Sequence, residues 1–196
     1  MKKIFIFSFI IFIFVFFISC ITTFVVYSNY DFTSSSTKYY SSSEEYTWPL
    51  PNYTTISSYF GPRISPTSGA SSYHSGIDIP APEGTEIFSA SSGIVIYQAF
   101  NGSNGYTLKI QNGSTIFSYS HISPNFIISV GDFIEKGKRI AYVGPKYIYN
   151  LPHNPYSDSS GKQTNGATTG THLHFSISIN NELIDPLTIF PKINNY

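Results

Sequence analysis

Charge is scarce in this chain of 196 residues: 11% of them carry it, and 11 Lys and Arg balance 11 Asp and Glu. A chain without a basic face cannot neutralise a run of phosphates, so nucleic acid is excluded as a partner. Residues 49–196 repeat the balance, with eight cations against eight anions. Cysteine is nearly absent. Cys20 alone can build neither an intramolecular disulfide framework nor a Cys-based zinc finger. A metal site must therefore draw on His and carboxylate. There is no His-Glu-x-x-His segment, which excludes the common zincin helix. From Pro49 onward no stretch carries an apolar stripe of 3.6-residue period, so amphipathic helices are missing as well.

What is present is unevenly placed. After Lys2 and Lys3, 24 residues from Ile4 to Tyr27 are uncharged and dominated by Ile, Phe and Val. As a helix they would measure roughly 36 Å, enough to cross a hydrocarbon core of roughly 30 Å with some tilt. Lysines before the run and Asp31 after it place the N-terminus in the cytoplasm and the rest outside. The run outlasts the apolar stretch of a cleavable signal and lacks an Ala-x-Ala site, which favours a retained single-pass anchor over release by cleavage. Cys20, in Phe17-Ile18-Ser19-Cys20, offers a third reading as a lipid attachment site. Ser28 to Trp48 follows, with seven serines in 21 residues and no apolar periodicity. It reads as a flexible tether. The expected organisation is a membrane anchor at 1–27, a Ser-rich linker at 28–48 and one domain at 49–196.

That domain has the texture of an all-β protein, with short Ile, Val, Phe, Tyr and Thr stretches between Gly, Asn and Pro. The pattern predicts strands at Glu86–Ser89, Gly93–Ala99, Phe133–Ile134, Arg139–Val143 and His172–Ile179. It also predicts a hairpin of Tyr106–Ile110 and Thr115–Tyr119 around a type I′ turn at Asn112-Gly113. Gly84-Thr-Glu-Ile87 and Gly131-Asp-Phe-Ile134 echo each other and hint at a duplicated sheet motif. Between Gly144 and Gly170 runs an irregular stretch too long to be an ordinary connection, which suits a groove wall.

The chemistry lies in the histidines, of which there are five: His74, His121, His153, His172 and His174. On a strand, His172 and His174 share one face with Ser176 and Ser178, about 6.6 Å apart at Cα, while Leu173, Phe175, Ile177 and Ile179 form a core face. Two imidazoles side by side can converge on one ion or on its bound water. His74 and Asp78 would stand about 13 Å apart on a straight strand. A bend at Ser75-Gly76 is expected to bring them together. Asp78 lies between Ile77 and Ile79, where a carboxylate normally needs a cation. His153 reads as a loop residue. Arg63 reads as an ion-pair or turn residue before a substrate contact, and Tyr73 and Tyr119 neighbour the proposed site.

These motifs resemble the lysostaphin-type, or beta-lytic, zinc metallopeptidases, which cut peptide bonds in bacterial peptidoglycan. Ser58-Tyr-Phe-Gly-Pro-Arg63 resembles the family's opening motif, and His74-Ser-Gly-Ile-Asp78 its His-x-x-x-Asp block. Tyr119-Ser-His121, Gly131-Asp-Phe-Ile-Glu-Lys-Gly137 and His172-Leu-His174 follow in the family's order. The resemblance implies a single Zn2+ held by His74, Asp78 and His174, with His121 and His172 as catalytic residues flanking the reaction centre. It implies an endopeptidase acting on peptidoglycan peptides; the apolar run from Ile4 to Tyr27 adds the expectation that it is extracytoplasmic and bound to the cell membrane through its N-terminal helix. The expected fold has mainly antiparallel sheets in a duplicated barrel-sandwich-like hybrid with an open groove, preceded by a transmembrane helix and flexible linker. A silent cell-wall scaffold on the same fold would lack a ligand, and none of the five positions is altered. A biotinyl or lipoyl carrier would present its lysine at a hairpin tip between apolar residues, which Lys136 does not match.

Overall fold

The computed structural model describes residues 45–190 and Ile193. The expected anchor, Cys20 and most of the expected linker lie outside these residues. Among the described residues there is no α-helix, and none of their helices is long and apolar enough to cross a membrane. The described residues form eleven strands: β1 (Gly61–Pro62), β2 (Tyr73–His74), β3 (Ile77–Pro80), β4 (Glu86–Phe88), β5 (Gly93–Phe100), β6 (Tyr106–Asn112), β7 (Thr115–Ser120), β8 (Phe133–Ile134), β9 (Arg139–Tyr142), β10 (His172–Ile179) and β11 (Glu182–Ile184). Short 3-10 turns cover Gly102–Asn104 and Pro186–Thr188. All pairings are antiparallel, as expected.

The main sheet runs β11-β10-β7-β6-β5-β8, with β3 also paired to β10, and two ribbons, β1-β2 and β4-β9, stand apart from it. Alternation decides which face each residue takes. Leu173, Phe175 and Ile177 of β10, Phe117 and Tyr119 of β7, and Leu108 and Ile110 of β6 are all fully buried on the core face. The rings of Phe117 and Phe175 stack at 6.4 Å. Tyr46 and Trp48, assigned to the linker by composition, pack on this core, against Phe117 at 5.2 Å and Phe190 at 5.4 Å respectively. Serine-rich composition does not reveal such aromatic docking.

The hairpin forms with a shifted turn. Asn112 pairs with Thr115, so the loop is Gly113-Ser114, one residue later than expected. Asn112 remains in the strand, and Gly113 alone takes a positive φ, 57°. This is the pattern of a type II′ turn rather than type I′, with glycine at the first central position. The echo between Gly84 and Gly131 is real at the level of backbone bonding. Gly84 N–H donates to Val143 O, and Val143 N–H returns to Thr85 O, at 2.9 and 2.8 Å. Gly131 N–H donates to Val95 O, and Val95 N–H returns to Asp132 O, at 2.8 and 2.9 Å.

Three features of this fold position the site. Asp78 of β3 sits directly across from His174 of β10. Ser75-Gly76 breaks the chain between β2 and β3, so His74 turns back toward Asp78. Gly76 is needed there because a Cβ would collide with the carbonyl oxygen of Phe175.

Candidate metal centre

His74, Asp78 and His174 bring one ligand atom each into a single cluster. His74 Nε2 lies 2.9 Å from His174 Nδ1 and 3.1 Å from Asp78 Oδ1, and His174 Nδ1 lies 2.9 Å from the same oxygen. The predicted bend therefore does what the spacing required. His74 Nδ1–H donates to the Tyr59 carbonyl at 2.9 Å, which leaves Nε2 as a lone pair facing the cluster. One proton on His174 cannot satisfy three electron-rich atoms that all face one point. A cation does. Zinc with ligands at about 2.0–2.1 Å holds its donors roughly 3.3 Å apart, so this triangle needs to open by only about 0.3 Å. Two imidazoles and one carboxylate also match a catalytic zinc donor set, which leaves a further position open.

The electrostatics agree. Burial alone would raise the Asp78 carboxyl, but a proton in the cluster goes to the rings of His172, His174 or His74, and the hydrogen bonds they then donate outweigh burial and hold the carboxyl far below the usual carboxylate range. Burial pushes His174 below the ordinary imidazole value, so it stays neutral and able to ligate.

The other two expected residues flank the cluster. His121 donates from Nδ1 to the Asn165 carbonyl at 2.7 Å, and His172 donates from Nδ1 to the Gly170 carbonyl at 3.0 Å. In the neutral rings these bonds leave Nε2 as the nitrogen without a proton. His172 Nε2 lies 3.5 Å from Asp78 Oδ1, and the rings of His121 and His172 are 4.6 Å apart. Burial, followed by the neighbouring His172 and His174, pushes the His121 imidazole well below its ordinary value. His121 also adopts φ 58°, a left-handed conformation uncommon outside glycine. Its N–H to Asn104 O and its carbonyl from Gly144 N–H, both at 2.9 Å, hold it there. Such strain clusters at sites of function.

The site opens into a cleft of about 470 Å³ whose walls include Tyr73, Ser103 and the 167–171 segment, the end of the long connection. That connection is organised rather than structureless, with bridges at Tyr147–Thr164 and Ser157–Gln163. His153 is exposed and does not line the cleft. Tyr119 does not line it either, because it shares the buried face of β7 with Phe117, and its hydroxyl accepts from Ala90 N–H at 2.8 Å. Asn165 carries no sequence signal. It is fully buried, its side chain ties Tyr106 N–H at 2.8 Å to the Ile122 carbonyl at 3.0 Å, and its own carbonyl orients His121.

The chain matches the model of peptidase family M23 over residues 72–186. Peptidoglycan DD-endopeptidase ShyC of Vibrio cholerae is 29% identical over 136 residues, which cover 68% of this chain and 27% of that protein. The chain thus spans about a quarter of the length of curated relatives it matches. A zinc containing peptidase from Vibrio cholerae superposes with a TM-score of 0.54 at 26% identity, covering 70% of this chain and 37% of that one. The catalytic domain of the antimicrobial peptidase lysostaphin from Staphylococcus simulans gives a TM-score of 0.55 over 74% of this chain and 95% of that one; at 22% identity the likeness is one of fold. A family match across more than half of the chain, laid over a centre with the donors zinc requires, makes this protein a member of peptidase family M23 with zinc as its cofactor.

Proposed function

We propose that this domain is an endopeptidase that hydrolyses peptide bonds in bacterial peptidoglycan. One observation carries the reading. Three ligand atoms converge at 2.9–3.1 Å beside two imidazoles whose Nδ1 protons are tied to carbonyls, so that both Nε2 atoms are free to exchange protons. Bound zinc supplies a Lewis acid and lowers the pKa of water to about 7. His121 and His172 take the proton of the attacking water and deliver it to the leaving amine, at Nε2 in each case. Their carbonyl partners, Asn165 and Gly170, fix the tautomer that this work needs. The cleft of about 470 Å³ beside these residues is where the substrate peptide would lie.

The substrate class is supported by the relatives' chemistry and by the motif blocks. The cellular setting is proposed from the sequence: the apolar run from Ile4 to Tyr27 anchors the chain in the cell membrane, and the serine-rich linker holds the domain on the outer side. The test is digestion of purified cell walls of known cross-link chemistry, with fragments identified by mass. Release of peptide fragments that stops with chelator and returns with Zn2+ is the expected result. Intact walls in the presence of zinc-loaded protein would overturn the reading.

A further inference from the structure

Arg63 is the one Lys or Arg lining the cleft among the described residues, and its guanidinium is directed at a metal ligand rather than at open solvent. Nη1 donates to Ser58 Oγ at 2.7 Å and to Asp78 Oδ2 at 3.4 Å. Nε reaches the Ser71 carbonyl at 3.4 Å, and the backbone N–H bonds Ser72 O at 2.8 Å. Ser58 is the second half of the device. Its hydroxyl, which accepts from Arg63, lies 3.1 Å from His74 Nδ1, the nitrogen that fixes the ligand's tautomer. Its carbonyl accepts Asp78 N–H at 2.9 Å. The two oxygens of Asp78 are therefore divided: Oδ1 faces three imidazoles, and Oδ2 faces the guanidinium.

We propose that Arg63, steadied by Ser58, is a positioning residue that holds Asp78 by Oδ2 and so presents Oδ1 alone to the metal. A carboxylate free at both oxygens rotates about its terminal bond and can offer either oxygen or both. Pinned at one, it offers a single defined donor. Partners behind metal ligands act in this way in general, and losing one costs about 10- to 100-fold in metal affinity. Nη1 serves Ser58 and Asp78 while Nε reaches the Ser71 carbonyl, and a planar guanidinium that spreads its donors over three acceptors suits Arg better than the point charge of Lys. The inference rests on the metal centre and not on which bond is cut. A wild-type protein that binds zinc but leaves peptidoglycan intact would refute the proposed substrate and leave this inference standing.

The experiment titrates the metal-free full chain with Zn2+ against a chromogenic chelator, and records the visible spectrum of the Co2+-loaded chain. Arg63→Met is expected to bind zinc about 10- to 100-fold more weakly with altered cobalt bands. Arg63→Lys should recover part of the affinity through its charge while keeping the altered bands. Ser58→Ala retains the backbone bonds to Asp78 and should weaken zinc binding several-fold. Unchanged affinity and cobalt bands in Arg63→Met overturn the proposal. Should Arg63→Met fail to fold, the same outcome in Ser58→Ala overturns it.

Discussion

Replacing His74, Asp78 or His174 with Ala removes one donor of three, so zinc and hydrolysis should vanish together, as measured by metal analysis and cell-wall digestion on the same preparation. Loss of hydrolysis with full zinc content would place that side chain outside the ligand set. His121→Ala and His172→Ala should keep stoichiometric zinc and lose turnover by about 10²- to 10⁴-fold, the usual range for a group that moves a proton. At the same scale Tyr119 gives a pH dependence. Burial lifts its hydroxyl well above the ordinary value of about 10. The folded chain thus retains a proton that the unfolded chain releases. This stability is fully present below pH 10 and declines as pH rises beyond it. Tyr119→Phe should remove that share of the alkaline decline in urea denaturation. It should also cost about 1–3 kcal/mol at neutral pH, because Ala90 N–H loses its partner inside the core.

Strand β10 shows how far the sequence carries at the level of elements. Its bounds and its two faces are legible from His172 to Ile179 because alternation is strict there and one face is wholly apolar. The bend between β2 and β3 is legible too, since no straight strand brings His74 within reach of Asp78. The hairpin is legible except at its turn, where two glycine-compatible registers differ by one residue and cross-strand pairing chooses between them. Asn165 is illegible for a physical reason: it serves His121 through a backbone carbonyl, which every residue type possesses. Its side chain matters by docking the long connection to β6 and to Ile122. Asn165→Ala should therefore retain zinc yet reduce kcat, a split that zinc titration and initial rates will separate. Gly76→Ala should act oppositely, forcing β3 away from β10 at a cost of about 1–3 kcal/mol and weakening zinc binding with it.

Across the molecule the centre ties together elements that hydrogen bonds alone join weakly, since β1-β2 is a two-stranded ribbon of four residues outside the main sheet. A metal that binds the folded chain and not the unfolded one stabilises by about 4 kcal/mol at a thousandfold excess over its dissociation constant. For a domain of this size that corresponds to a rise in Tm on the order of 10 °C. Differential scanning calorimetry with chelator and with added Zn2+ should show this difference, and it should disappear in Asp78→Ala. Fold class is readable because it depends on local periodicity, whereas the ligand set His74, Asp78 and His174 follows from the resemblance of the motif blocks to a known family, which spacing alone does not supply. The packing of Tyr46 and Trp48 is not readable, because it depends on a surface built by Phe117, Phe175 and Phe190 from remote parts of the chain.

His74 and His174 meet across 100 positions of chain. During synthesis the earlier half of the centre emerges with nothing to close on, and it stays chemically blank until β10 is complete. Ribosomal stalling, a premature stop or proteolytic trimming before Thr171 would each yield an inert product rather than an unregulated one.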